Sequence, residues 1–142
     1  MTCTVFKNIR VFDGETTHQS TTVVVRHGIV SYLGSSPPSD ILVDASTIDG
    51  AGRTLLPGLI EAHIHAHLPP GKGPEVLKPA IACGITTCCD MHNKPDDVKM
   101  LKSECAKSVE LPDLKSAYYG ATIEGGWPKP IVLHLDPSEE VS

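Results

Sequence analysis

The chain is poor in aromatics, which make up 4% of its 142 residues, so core density must come from Val, Ile, Leu and Ala. No apolar run approaches the roughly 18 residues that a membrane span needs, which argues against an integral membrane protein. No basic run is present. Twelve Lys and Arg stand against seventeen Asp and Glu for a net charge of −5, so a nucleic-acid role has no electrostatic footprint. The five cysteines include no Cys-x-x-Cys pair, and Cys88 and Cys89 are adjacent, a poor geometry for a structural zinc knuckle. The odd number reads as reduced thiols in a cytoplasmic protein. Met1 to Lys7 lacks a basic stretch leading into an apolar one, so no signal peptide is expected. Gly71-Lys72-Gly73 lacks the spacing of a phosphate-binding loop, and no Ser/His/Asp or Cys/His arrangement has supporting context. A closed (β/α)₈ barrel needs roughly 200–250 residues, so the chain cannot hold a complete one.

What is present begins with β-structure. Thr4 to Phe12 alternates loosely and ends in Asp13-Gly14, a turn signal. Thr21 to Arg26 and Ile29 to Leu33 read as a hairpin joined through His27-Gly28. Ser35 to Asp40 is a loop with two prolines, and Ile41 to Asp44 and Ser46 to Ile48 read as further strand pieces. Asp49 to Gly52 is another turn. Short strands at this spacing predict a small sandwich or barrel-like β unit over residues 1–54.

The character changes at Thr54. Leu59 to Ile64 is a short buried strand. A Pro/Gly loop follows, Leu68 to Pro74. Glu75 to Cys83 reads as a helix that stops at Gly84 and is kinked or restarted at Pro79. Ile85 to Cys89 is a second strand. Val98, Leu101, Cys105 and Val109 repeat at helical spacing, which predicts an amphipathic helix over 96–108 behind Pro95. Leu114 to Thr122 could hold a third strand. Alternating β and α predicts a parallel sheet over residues 55–142. Asp136-Pro137-Ser138-Glu139-Glu140 has the pattern of a helix start with no helix behind it, the expectation for a polypeptide that has been cut. It also reads as an ordinary acidic tail.

One constellation carries chemistry. His63-x-His65 closes an apolar strand after Pro57-Gly58. Strand side chains alternate faces, so residues 63 and 65 point the same way, with Cα atoms about 6–7 Å apart. Two imidazoles so placed can close on one ion, and imidazole suits zinc and its first-row neighbours. A hydrolytic metal needs about three protein ligands and a place for water, whose pKa it lowers to about 7. Two histidines alone do not complete such a site.

Leu55-Leu56-Pro57-Gly58-Leu59-Ile60-Glu61-Ala62-His63-Ile64-His65 resembles the signature of the metal-dependent amidohydrolase superfamily, and within it the imidazolonepropionase-like branch. Asn8 to Gly14, His27 to Gly34, Asp49 to Arg53 and Gly84 to Met91 resemble further parts of the family pattern, so the likeness covers most of the chain. It implies an N-terminal composite β-sandwich followed by the first three β/α units of a (β/α)₈ TIM barrel, incomplete. It implies a hydrolase of carbon–nitrogen bonds other than peptide bonds, acting on amides or cyclic amides by metal-activated water. His63 and His65 then stand at the first-strand metal-ligand positions, for a divalent metal, zinc by expectation. The family's other ligands, on strands four, five and six, and its proton-transfer Asp on strand eight have no counterpart here. His134, in a Pro-flanked segment, is no convincing substitute. Glu61 departs from the usual Asp of the signature.

Around this pair, His67, Asp90, His92 and Trp127 are candidates for the substrate pocket. His67 also reads as a solvated loop residue, Asp90 and His92 as structural hydrogen-bonding groups, and Trp127 as a cover on the core. His18 and His27 fall in turns and are expected to be exposed. A second reading is a non-catalytic remnant or subunit fragment that needs a partner chain. Three strands of a barrel leave an open edge through which the chain could self-associate.

Overall fold

The computed structural model describes residues 3–66, 73–123 and 132–134, and divides the chain into two units, Met1–Pro57 and Gly58–Ser142. The expected Pro/Gly loop up to Lys72, the Gly125–Pro128 loop and the helix start at Asp136 lie outside the described residues, as do His67 and Trp127.

The first unit is a five-stranded mixed sheet. β1 (Cys3–Phe12) pairs antiparallel with β2 (Thr17–Arg26), and β2 pairs antiparallel with β3 (Ile29–Gly34). On its other side β1 pairs in parallel with β4 (Ala45–Asp49) and then with β5 (Thr54–Leu55). The expected hairpin is there: His27 and Gly28 both take positive φ, 54° and 77°, as a tight two-residue turn requires. Its described strands form one sheet, not the two facing sheets of a sandwich, because β4 and β5 both add to the same edge of β1.

The loose alternation of β1 has a physical cause. The register with β2 slips between Phe6 and Ile9, and Asn8 sits at φ 52°. A one-residue slip sends the following side chains to the opposite face. Cys3 and Val5 therefore pack with Val24 on one face, while Ile9 and Val11 join Phe6 and Val23 on the other. Both faces of the sheet thus acquire buried apolar residues from a strand that reads as one-sided.

Ile41 to Asp44 is not a strand. Ser39–Leu42 forms a 3₁₀ turn, with the Ile41 N–H donating to Pro38 O at 3.3 Å, and Asp44 has φ 58°. The preceding Pro37-Pro38 offers no N–H to a ladder, and the turn lets Ile41 and Leu42 cover the Cys3–Val5–Val24 cluster.

The second unit begins with β6 (Leu59–Ile64), which is exposed along most of its length and not buried as expected, because it lies at the edge of its three-stranded sheet. Gly58, just before it, has no room for a side chain, since a Cβ there would collide with Thr86. A 3₁₀ segment at Gly73–Leu77 leads into α1 (Lys78–Ala82), so the helix restarts around Pro79 and ends before Gly84 at φ 79°. β7 (Ile85–Asp90), α2 (Pro95–Cys105) and β8 (Asp113–Ser116) follow. The strands pair in parallel in the order β6-β7-β8.

Buried Val98, Leu101 and Cys105 mark the inward face of α2. The stripe stops there: Val109 is 95% exposed. The last turn tightens to i→i+3 bonds at Lys107 and Ser108, and the chain must then come back to enter β8 behind Pro112. The expected third strand is split. After β8 the chain leaves the sheet at Tyr118, φ 59°, and β9 (Gly120–Thr122) pairs in parallel with β10 (Val132–His134). The helices cover one face of the β6-β7-β8 sheet, where Ala66, Leu77, Cys88, Leu101, Cys105 and Leu114 form the core.

The five cysteines are free thiols. Burial first, then the negative charge of Glu61, pushes the Cys88 thiol up; burial first, then Asp113, does the same to Cys105. Thiolate is the reactive form. Timed alkylation of native protein with peptide mass mapping is therefore expected to mark exposed Cys83 first and to leave Cys88 and Cys105 until the chain unfolds. Equal labelling rates at all three would refute this core.

Candidate metal and substrate site

The site lies at the C-terminal ends of the parallel strands. Ile64 and Ala66 pack into the helix-side core, and His63 and His65 flank Ile64 at the end of β6. Their rings meet edge to face with centroids 5.2 Å apart. The register between β6 and β7 slips between Glu61 and Ile64, placing Ala62 and His63 together opposite Cys89. Glu61 Oε1 accepts the His63 N–H at 3.2 Å within this bulge, so the longer carboxylate of Glu61 turns back onto its own strand.

Three bonds clamp the end of β6 to the end of β7. The Met91 N–H donates to Ile64 O at 2.8 Å, His65 Nδ1 lies 2.8 Å from Met91 O, and the Ala66 N–H donates to Asp90 Oδ1 at 2.8 Å. A carbonyl oxygen only accepts, so Nδ1 of His65 carries the proton. In the neutral ring Nε2 then holds the lone pair that a metal needs.

Asp90 is fully buried. Its Oδ2 accepts from Asn93 Nδ2 at 2.9 Å and from Ser116 Oγ at 3.4 Å, and its main-chain oxygen accepts the Ala117 N–H at 3.0 Å. One carboxylate thereby joins the ends of β6, β7 and β8. His92 stands beside this junction with φ 59° and its ring 5.7 Å from that of His65. Its Nδ1 is buried with no hydrogen-bond partner, and β9 passes so close that a Cβ on Gly120 would collide with the ring. An apolar cavity of about 190 Å³ on the helix side is lined by Ile64, Val76, Leu77, Ala80, Ile85 and Cys88, with Glu61 and His65 at its wall.

The structure therefore brings His63, His65 and His92 into one row and sets Asp90 behind them. Among the described residues, no group of three His, Cys, Asp or Glu side chains is placed to hold an ion. Of the expected donors, His63 and His65 stand side by side, and imidazole is a donor type that suits a divalent metal. Asn93 and the Met91 carbonyl escape a reading of the sequence. Asn93 reads as loop punctuation, and a main-chain oxygen leaves no residue signal.

No protein-family model matches the chain. It is 32% identical to an enamidase from Eubacterium barkeri over 133 residues, covering 88% of this chain and 34% of the enamidase. It is 27% identical to a dihydroorotase from Listeria monocytogenes over 124 residues, covering 82% of this chain and 28% of that protein. Among solved structures, an amidohydrolase superposes with a TM-score of 0.70 at 21% identity, covering 98% of this chain and 37% of the other. Over most of its own length the chain resembles the amidohydrolase superfamily. Within that superfamily it also superposes on a β-aspartyl dipeptidase from Fervidobacterium islandicum, with a TM-score of 0.62 at 22% identity, covering 83% of this chain and 33% of that one. The chain spans about a third of the length of the relatives it matches. No helix among its described residues is long and apolar enough to cross a membrane.

Proposed function

We propose that the chain contributes the first two metal ligands, His63 and His65, of a hydrolase acting on carbon–nitrogen bonds of small amides or cyclic amides. The observation that carries this is the contact of the two imidazole rings, 5.2 Å between centroids, with the His65 ring oriented by its Nδ1 bond to Met91 O. A divalent metal, zinc in this reading, supplies Lewis acidity, polarising a carbonyl and lowering the pKa of water. The chain's own residues set the two imidazoles side by side at the end of β6 and hold the His65 ring through Met91 O. Asp90 holds the strand ends that carry them. We place His92 in the substrate pocket, and His67 and Trp127 with it, on the strength of their neighbours in sequence. In this reading β6, β7 and β8 are the opening strands of a barrel, and the remaining ligands and the proton-transfer Asp come from strands that residues 1–142 do not supply. The free cysteines suit a reducing cytoplasm.

The test is amide hydrolysis by protein carrying residues 1–142 together with the rest of the barrel. Turnover of a cyclic amide is expected to need zinc, to stop with chelator and to fall to background in His63→Ala. Turnover that survives both would sink the proposal. One observation favours the alternative of a non-catalytic chain that needs a partner. β6 is an edge strand whose Leu59 and Ile60 are 51% and 66% exposed, leaving apolar surface and unpaired backbone for a partner or a second copy. Sedimentation of the 142-residue chain as a monomer at all concentrations would count against it.

A further inference from the structure

The first unit carries Asp-Gly bonds in two turns, Asp13-Gly14 between β1 and β2 and Asp49-Gly50 at the end of β4. This dipeptide has a chemical weakness. Glycine has no side chain to shield its amide nitrogen, which can attack the carboxyl carbon of the aspartate before it. The fold demands glycine at both places. Gly14 lies at φ 111°, which residues with a side chain rarely adopt, and a Cβ on Gly50 would collide with Ile9.

The two turns restrain the reaction from opposite ends. At Asp49 the nitrogen is held, since the Gly50 N–H donates to Lys7 O at 2.7 Å. Asp49 Oδ1 also accepts from the Ala51 N–H at 2.8 Å and from Asn8 Nδ2 at 3.2 Å. At Asp13 the Gly14 N–H has no hydrogen-bond partner among the described residues, and the exposed carboxylate is held instead. Its Oδ1 accepts the Glu15 N–H at 2.9 Å and the Thr16 N–H at 2.8 Å. Its Oδ2 accepts from His18 Nε2 at 2.8 Å and from Thr16 Oγ1 at 3.3 Å. The Thr16 N–H first, then His18 and the Glu15 N–H, keep the carboxyl well below its usual range, and the neutral acid is the form that loses water readily. The amides belong to the turn itself, so the His18 ring is the restraint that β2 adds.

We propose that Asp13-Gly14 is a backbone modification site, an isoaspartate-forming bond, and that His18 holds it in check by occupying Asp13 Oδ2. The step balances with water alone. The Gly14 nitrogen bonds to Asp13 Cγ, the carboxyl oxygen leaves as water with the amide proton, and a cyclic imide closes. Water then opens the ring at either carbonyl. Opening at Cγ restores aspartate. Opening at the main-chain carbonyl leaves the chain running through Cγ, one methylene longer, and takes away the carboxylate that Glu15, Thr16 and His18 share.

Ageing the whole chain in heavy-oxygen water at neutral pH tests this, because each passage through the imide leaves one ¹⁸O in the residue. Peptide mass mapping then reads each bond separately. In the native chain, label is expected at Asp13 before Asp49. His18→Ala should speed labelling at Asp13 about threefold or more, the worth of one surface hydrogen bond, and leave Asp49 unchanged. His18→Gln, which keeps an N–H donor, should recover part of the protection. In urea the two bonds should react at similar rates and His18 should no longer matter. Labelling of Asp49 as fast as Asp13 in the native chain overturns the assignment of the site. An unchanged rate at Asp13 in His18→Ala overturns the role of His18, and so does an equal rise at Asp49, which would mean that the whole unit has loosened.

Discussion

Asp90→Ala is expected to lower the stability of the Gly58–Ser142 unit by about 3 kcal/mol or more, read as a shifted urea midpoint. The carboxylate is fully buried and accepts from the Ala66 N–H, Asn93 Nδ2 and Ser116 Oγ. Truncation leaves these donors in a space that water does not readily fill. A buried donor without a partner costs roughly 1–3 kcal/mol, and the three are coupled, so their losses will not simply add. Asp90→Asn keeps one carbonyl acceptor and is expected to lose roughly half as much. A midpoint for Asp90→Ala within about 0.5 kcal/mol of the parent, the range of an ordinary surface change, would show that the junction of strand ends does not hold this unit together. Far-UV circular dichroism should follow the transition.

His65→Ala and His63→Ala are each expected to reduce zinc affinity by at least about a hundredfold in calorimetric titration. Loss of an outer partner of a metal-binding histidine already costs roughly 10–100-fold, and loss of the donor itself should cost no less. The two rings are 5.2 Å apart at the end of β6, and the Nδ1 proton of His65 is committed to Met91 O. His18→Ala is the control. That imidazole pairs with Asp13 at 2.8 Å in the first unit and should leave zinc binding unchanged. The Asp13 carboxyl is held well below its usual range by the Thr16 N–H, then by His18 and the Glu15 N–H. Equal affinities in the parent and both site variants would remove the metal from this face of the sheet.

Much of the fold could be read from local chemistry. The positive-φ turn at His27-Gly28, the apolar run of β6 and the helix stop at Gly84 each depend on residues within a few positions of one another. The spacing of Val98, Leu101 and Cys105 correctly marks the buried face of α2. Extending that stripe to Val109 fails, because the return to β8 ends the helix at Cys105, whatever its periodicity. Ile41 to Asp44 has strand composition yet turns, since Pro37 and Pro38 stand before it and a cluster needs covering. Leu114 to Thr122 breaks in two for an equally non-local reason: Tyr118 O accepts the Asn93 N–H, and Gly120 passes against His92.

By itself the sequence determined the alternation of strands and helices in the second unit, the closeness of His63 and His65 along the chain, and the resemblance that the relatives bear out. Period-two alternation and a contiguous signature require nothing beyond neighbouring residues. Only the tertiary structure decided which nitrogen of His65 meets the Met91 carbonyl, that Asp90 joins three strand ends, and that His92 sits beside His65 with a buried Nδ1. Those properties belong to hydrogen bonds between residues about 25 positions apart, closed by a main-chain carbonyl and a glycine. Residue type carries no trace of a bond made by the backbone, so these contacts become visible only once the strands are paired.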